Sequence, residues 1–267
     1  MDTGIMSALK RQNSLKIDQN RFQCLHDVSI AMKDEGLTKC GLIFGIDYTM
    51  SNKVQGEKTF DGRSLHEISD DCLNPYQEVI CILGETLQPL DLDGLIPAYG
   101  FGDIRTKGDG IFPLKEVGSC VGFKEVLDTY NRITPNIKLH RPTNFAPLIK
   151  KAIDIVSATG KYHILVIAAD GQVNAEEETI SAIVEASNYP LSIICVGVGD
   201  GPWGMMKEFD DKIPKRNFDN FQFLNFYDVV SHARNRQTAF ALHALMEIPD
   251  QYHAIEELGL LNQVTKS

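Results

Sequence analysis

Apolar runs recur along the chain with helix-like segments between them, and this alternation constrains the fold more than any other feature. The runs cover residues 42–47, 95–103, 163–170, 191–200 and 221–226. They are almost continuously apolar, which is typical of strands buried on both faces of a sheet. The pattern predicts a single α/β domain, with a doubly wound, mostly parallel sheet and an added helix at each end.

Amphipathic segments between the runs predict the helices. They cover residues 22–36, 74–87, 123–133, 145–157, 175–187 and 229–246. Asn74 and Pro75 are suited to the cap and the first position of the second helix. Asn174 and Glu177 are predicted to form a capping pair for the fifth helix.

The domain boundaries follow from the same patterns. Residues 1–20 are polar and aperiodic, so we expect a flexible lead there. Residues 21–261 are expected to form the domain with its C-terminal helical extension, followed by a tail at 262–267.

Charge and cysteine content exclude several classes of protein. The chain has 36 acidic and 26 basic residues, a formal net charge of −10, which disfavours nucleic-acid binding. No apolar run approaches the roughly 20 residues of a membrane span, so direct membrane insertion is not expected. The N-terminal residues lack the apolar segment of a secretory signal. The six cysteines are scattered without a C-x-x-C pair. We therefore expect a cytoplasmic protein, with nuclear or peripheral membrane association as alternatives.

Four of the apolar runs end in an aspartate. These residues are Asp47, Asp103, Asp170 and Asp200. Ligands of parallel sheets bind at the carboxyl ends of the strands, where these carboxylates would repel one another unless a cation or hydrogen bonds offset them. Asp103 and Asp200 stand beside glycines and also fit the role of turn residues.

The first of these aspartates belongs to the pattern Asp47-x-Thr49-x-Ser51. Short oxygen-bearing side chains on a tight loop suit Mg²⁺, which takes oxygen ligands at about 2.1 Å. The same pattern alone also fits a hydroxyl-rich helix cap. Thr143, in "RPTNFAPLI", and Asp170, in "LVIAADGQV", follow later in the chain. In this order the residues resemble the metal-ion-dependent adhesion site of von Willebrand factor A domains.

Longer segments sharpen the resemblance. "NPYQEVICILGETLQPLDLDGLIPAYGFGD", "PLSIICVGVGDGPWGMMKEFDD" and "RNFDNFQFLNF" resemble the copine subgroup of these domains. The chain is most similar to the A domain of plant RGLG-type ubiquitin ligases. The segment "TAFALHALMEIPDQYHAIEELGLL" resembles the part that follows that domain.

The resemblance implies a sixth strand and a ligand set. Thr49, Ser51 and Thr143 are implied as hydroxyl ligands, and Asp47 and Asp170 as carboxylates acting directly or through water. The implied ion is Mg²⁺, with Mn²⁺ or Ca²⁺ as alternatives.

Departures from the relatives limit what is expected of this chain. There is no room for the two lipid-binding domains that precede the A domain in copines. No cysteine follows Cys195, so the zinc-binding RING finger of the ligases is absent from this sequence. "GIDYT" also resembles the strand end of aspartyl phosphatases, but Thr49 stands where their acid would be. We therefore expect no enzyme activity.

The combined prediction is a divalent-metal-dependent protein-binding module. Its partner would supply an Asp or Glu to the metal, and neither the partner's identity nor the oligomeric state follows from the residues. One alternative is a substrate-recruiting component in ubiquitin ligation. Another is a peripheral membrane scaffold of the copine type, although no basic patch in the sequence favours it.

Overall fold

The computed structural model describes residues 22–91, 93–213 and 215–262. The predicted flexible lead at 1–20 and most of the predicted tail lie outside the described residues. In chain order the helices are α1 Leu25–Asp34, α2 Pro75–Leu87, α3 Gly122–Ile133, α4 Ala146–Thr159, α5 Glu176–Ala186, α6 Gly204–Lys212, α7 Phe226–Val230, α8 Arg236–Leu245 and α9 Ile248–Glu257. The strands are β1 Gly41–Asp47, β2 Leu95–Ile96, β3 Ala98–Phe101, β4 Ile111–Pro113, β5 Cys120–Val121, β6 His163–Ala169, β7 Leu191–Gly197 and β8 Phe221–Asn225.

The described residues form a six-stranded sheet in the order β4-β3-β1-β6-β7-β8. Strands β3, β1, β6, β7 and β8 are parallel to their neighbours, and β4 runs antiparallel to β3. This confirms the predicted mostly parallel α/β sheet. In register, Ile46 of β1 pairs with Gly100 on one side and with Ala168 on the other. The carboxyl ends of these strands therefore meet at one edge.

Helices cover both faces of the sheet. Helices α1, α2, α3, α7, α8 and α9 contribute to the apolar core on one face, and α4, α5 and α6 to the core on the other. The side chains of β1 alternate between the two, because successive residues of a strand point to opposite faces. Phe44 and Ile46 belong to the first core and Ile43 to the second. This explains why the run is apolar throughout.

Two predicted elements are divided in the structure. The run 95–103 is not one strand, since Pro97 separates β2 from β3 and β2 pairs with β5 in a separate sheet. The long helix predicted at 229–246 is also wrong. Helix α7 ends at Val230, and α8 begins after Asn235, whose side chain accepts a hydrogen bond from the Thr238 N–H at 3.1 Å.

Among the described residues, none of the helices combines the length and the apolar character needed to cross a membrane.

Candidate metal site

Asp47 is the last residue of β1 and is fully buried. Its Oδ1 accepts a hydrogen bond from the backbone N–H of Thr49 at 2.8 Å. This contact turns the chain at the end of the strand, and a short helical turn, Met50–Lys53, follows. The local sequence thus sets an aspartate, a threonine and a serine around one tight bend.

The hydroxyls of this bend connect the two strand ends. Thr49 Oγ1 and Ser51 Oγ lie 3.0 Å apart, and Ser51 Oγ donates to Asp170 Oδ1 at 3.1 Å. Asp170 directly follows β6, the strand paired with β1. Neighbouring strands lie about 4.8 Å apart, which brings both carboxylates to one place. The structure therefore brings Asp47, Thr49, Ser51 and Asp170 together.

Each of the two carboxylates retains an oxygen without a partner. Asp47 Oδ2 and Asp170 Oδ2 are buried and have no hydrogen-bond partner among the described residues. Burial raises the pKa of Asp47 to about 6. Burial, followed by repulsion from Asp47, raises the pKa of Asp170 well above its ordinary value. Burial and mutual repulsion both disfavour the charged carboxylates. A bound cation would favour the charged form and so oppose both effects.

Thr143 is tied to this region through its backbone. It is buried in the loop before α4, and its N–H donates to Asn174 Oδ1 at 2.9 Å. The Asn174 N–H donates in return to the Thr143 carbonyl at 2.8 Å. Asn174 lies beyond Asp170 in the loop that leads to α5. The two loops that carry Thr143 and Asp170 are thereby held together.

These contacts correct the prediction that Asn174 and Glu177 cap α5. The helix begins at Glu176, its cap residue is Ala175, and no side chain makes the capping hydrogen bond. Asn174 instead uses its side-chain oxygen to fix the loop of Thr143. By contrast, the prediction for α2 is confirmed, since Asn74 caps it and Pro75 opens it.

His66 supports the candidate site through the backbone carbonyl of Asp47. It was not identified from the sequence. Its ring is stacked between Tyr48 and Tyr76, with centroid distances of 4.6 and 4.2 Å. Nε2 lies 2.7 Å from the Asp47 carbonyl and Nδ1 lies 2.8 Å from the Tyr130 hydroxyl. Burial lowers the pKa of His66 to about 3, so the ring is neutral at pH 7. Nε2–H therefore donates to Asp47, and Nδ1 accepts from Tyr130.

Asn52 provides a second support. Its side-chain amide donates to the carbonyls of Asp47 and Thr49, each at 3.1 Å, and its oxygen accepts from the Tyr76 hydroxyl at 2.6 Å. The bend that carries the first three predicted ligands is thus anchored to α2. The only sequence signal was the position of Asn52 directly after Ser51.

Asp103 and Asp200 stabilise loops. Asp103 Oδ1 accepts hydrogen bonds from the Thr106 N–H at 2.8 Å and the Thr106 hydroxyl at 2.6 Å. Asp200 accepts from the Thr59 N–H, the Thr59 hydroxyl and the Lys58 N–H at 2.7 to 3.0 Å. The carboxylates of both residues are used in these contacts. Of the two roles left open by the sequence, the structure supports that of a turn or loop residue.

The donor set restricts the kind of metal centre. Within the described ranges, no group of three or more His, Cys, Asp or Glu side chains is placed to hold a metal ion. The cluster at the sheet edge combines two carboxylates with neutral hydroxyls. Such all-oxygen donor sets suit a hard cation such as Mg²⁺ rather than zinc.

Comparison with known proteins identifies the family. A model of the copine family matches residues 64–264. The chain belongs to the copine family. It is 57% identical over 244 residues to Copine family protein 2 of Caenorhabditis elegans, a match that covers 90% of this chain and 3% of that protein. It is 48% identical over 276 residues to E3 ubiquitin-protein ligase RGLG4 of Arabidopsis thaliana, covering 97% of this chain and 68% of that protein.

The chain spans only part of the length of the curated relatives that it matches. The chain spans only 3% and 22% of the lengths of two C. elegans copine family proteins that it matches. The relatives therefore establish the family of this domain, and their names describe whole proteins.

Solved structures confirm the fold. Manganese-loaded TRAP protein of Plasmodium vivax superposes with a TM-score of 0.50 at 11% identity, covering 73% of this chain and 72% of that one. A D319A mutant of the PilB minor pilin of Streptococcus sanguinis gives a TM-score of 0.52 at 11% identity, covering 81% and 62%. At this identity the likeness concerns the fold alone.

Proposed function

We propose that this copine-family domain is a divalent-metal-dependent protein-binding module. Asp47, Thr49, Ser51, Thr143 and Asp170 would hold Mg²⁺, or Mn²⁺ or Ca²⁺ in its place. The observation that carries the proposal is the pair of buried, unpartnered carboxylate oxygens, Asp47 Oδ2 and Asp170 Oδ2, described above. Buried carboxylates are costly unless they are paired or coordinate a metal.

The donor set suits recognition of a carboxylate. The two aspartates balance the two charges of the ion, and the hydroxyls add none. When bound, the ion would offer a coordination position to an Asp or Glu of a partner. His66 and Asn52 hold the bend through backbone carbonyls, so neither of them occupies a ligand side-chain oxygen.

Calorimetric titration with Mg²⁺ tests the site. The wild type should bind the ion, whereas Asp47→Ala and Asp170→Ala should show no binding while retaining a cooperative thermal transition. Asp109→Ala, which removes an exposed aspartate, is the matched control and should bind like the wild type. Equal Mg²⁺ affinity in all four proteins would contradict the assignment.

Partner binding is tested separately. Immobilised wild type and Asp170→Ala are exposed to cell lysate in Mg²⁺ or in EDTA. Partners of the metal site should be retained only by the wild type in Mg²⁺. If the wild type binds Mg²⁺ but retains the same proteins in EDTA, the metal has a structural role rather than a binding role.

A second proposal concerns ubiquitin ligation. The similarity to RGLG4 covers nearly all of this chain and 68% of that ligase. A RING finger needs zinc ligands from Cys and His, and no cysteine follows Cys195 in this sequence. We therefore propose that this chain has no ligase activity of its own. In ubiquitination it would present substrates to a separate ligase through the metal site.

A further inference from the structure

An open groove of about 590 Å³ lies beside the candidate metal site. One wall is the helical turn Met50–Lys53, and a second, adjoining wall is the extended segment 137–140. The lining combines apolar and charged side chains. They are Met50, Ile104, Ile137 and Leu139 on the apolar side, and Lys53, Glu67, Lys138 and His140 among the ionisable ones.

The residues of both walls are close in sequence to the proposed metal ligands. Met50 stands between Thr49 and Ser51, and its N–H donates to the His140 carbonyl at 2.6 Å. Thr49 and His140 pair as an isolated β-bridge. Thr143 follows His140 by three residues, a span of at most about 11 Å. The groove therefore lies against the backbone that carries Thr49 and Ser51, three residues from Thr143 at its other wall.

The groove exposes apolar side chains close to the proposed metal ligands. Met50 is 37% exposed and Ile104 is 47% exposed, while Ile137 and Leu139 are half-buried. Single exposed apolar residues are common on protein surfaces, but adjacent ones in a concave site are typical of binding surfaces. An apolar side chain of a partner would remove these residues from water.

The charge of the groove is opposite to that of the chain. Lys53 and Lys138 line it against one glutamate, Glu67, in a chain with a formal net charge of −10. Neither lysine forms a salt bridge with any residue in the described part of the chain. This local positive charge favours an acidic partner, which the rest of the surface would repel.

We infer that the groove binds a short acidic segment of a partner protein, in which a bulky apolar residue stands within three residues of the metal-bound Asp or Glu. The spacing follows from chain positions, since Met50 stands between Thr49 and Ser51 and His140 is three residues from Thr143. Further acidic residues of the segment would face Lys53 and Lys138. The inference rests on the proposed metal site and adds the chemistry of its partner.

A peptide library tests this. Immobilised nine-residue peptides with a fixed central Asp or Glu and randomised flanks are probed with the full chain in Mg²⁺ and in EDTA. Selected peptides should carry an apolar residue within three positions of the fixed acid, together with additional acids. Their affinities are then measured for Ile104→Ser and Lys138→Glu. The matched controls are Val117→Ser, 82% exposed elsewhere, and Lys161→Glu, an exposed lysine at the opposite end of the sheet.

We expect each groove variant to weaken binding about tenfold, with unchanged Mg²⁺ affinity and thermal stability, and each control to match the wild type. Mg²⁺-dependent peptide binding that the groove variants leave intact would overturn the groove while preserving the metal site. Failure of the wild type to bind Mg²⁺ would remove the proposed function and this inference with it. Retention of phosphatidylserine vesicles through Lys53 and Lys138, with no peptide selected, would assign the face to a lipid surface instead.

Discussion

Two individual residues, Asp47 and Asp170, are expected to destabilise the ion-free fold. Each is a buried carboxylate with one oxygen that has no partner among the described residues. The hydrogen bonds from the Thr49 N–H and the Ser51 hydroxyl compensate for only part of the lost hydration. Residues that oppose stability in this way are common at binding sites, where a ligand supplies the missing interaction.

The substitution Asp170→Asn should stabilise the ion-free protein. It replaces a carboxyl group whose ionisation is disfavoured by burial and by Asp47, and it still offers an oxygen to Ser51. In EDTA we expect the free energy of unfolding, measured in urea, to rise by about 1 kcal/mol. In saturating Mg²⁺ the order should reverse, because only the wild type gains from binding. The exposed variant Asp109→Asn should change little in either condition, and a loss of stability for Asp170→Asn in EDTA would contradict this account.

Some residues of the candidate site could be predicted from the sequence, and others could not. Asp47, Thr49 and Ser51 form a local pattern, and Asp170 ends a strongly apolar strand, so their positions could be predicted. His66 could not, because its partners Asp47 and Tyr130 are 19 and 64 residues away in the chain. Only the packed structure shows that this histidine is a neutral support of the bend that follows Asp47.

Strands and helices could be predicted where a long apolar pattern was compatible with only one type of secondary structure. Strands β1, β6 and β7 begin within one residue of the predicted positions. Strand β4 has three residues, too few to give a pattern, and the family resemblance implied a sixth strand without placing it. The break between α7 and α8 contains no glycine or proline, so the helical periodicity concealed it. Asn235, which caps α8, was the one local signal.

Strand β1 packs closely against helix α4 at Gly45. A Cβ atom on Gly45 would lie 2.1 Å from Cδ2 of Leu148. The substitution Gly45→Ala should therefore push α4 away from the sheet and lower the free energy of unfolding by about 1–3 kcal/mol. Gly204→Ala is the control, since a Cβ there meets nothing within 4 Å at the start of α6. Denaturant titration of both variants is the measurement, and equal stabilities would show that α4 can shift without cost.

The whole chain should lack ligase activity in a reconstituted reaction. With ubiquitin, activating enzyme, a panel of conjugating enzymes and ATP, we expect no autoubiquitination of the purified chain. The physical reason is that a RING fold depends on zinc held by Cys and His, and no cysteine follows Cys195. RGLG4, named an E3 ubiquitin-protein ligase, is the positive control. Zinc-dependent self-modification of this chain would overturn the proposal.

Glu247, between α8 and α9, should contribute to the change of the free energy of unfolding with pH. Burial raises its pKa from 4.5 to about 8, repulsion by Asp210 and Asp219 adds to this, and Gln251 and Arg216 oppose it. Between these two values the folded state keeps a proton that the unfolded state has lost, so stability should fall as the pH rises from about 4.5 to 8. Below this window both states are protonated, and above it both are ionised.

The variant Glu247→Gln isolates this contribution. It resembles the protonated acid at every pH, so its stability relative to the wild type should increase across the same window and then level off. Urea unfolding at a series of pH values measures the difference between the two proteins. Glu257→Gln, an exposed residue at the end of α9, should give a curve parallel to the wild type. If Glu247→Gln also ran parallel to the wild type, Glu247 would have to be ionised in the folded protein, and α9 would have to open enough to hydrate it.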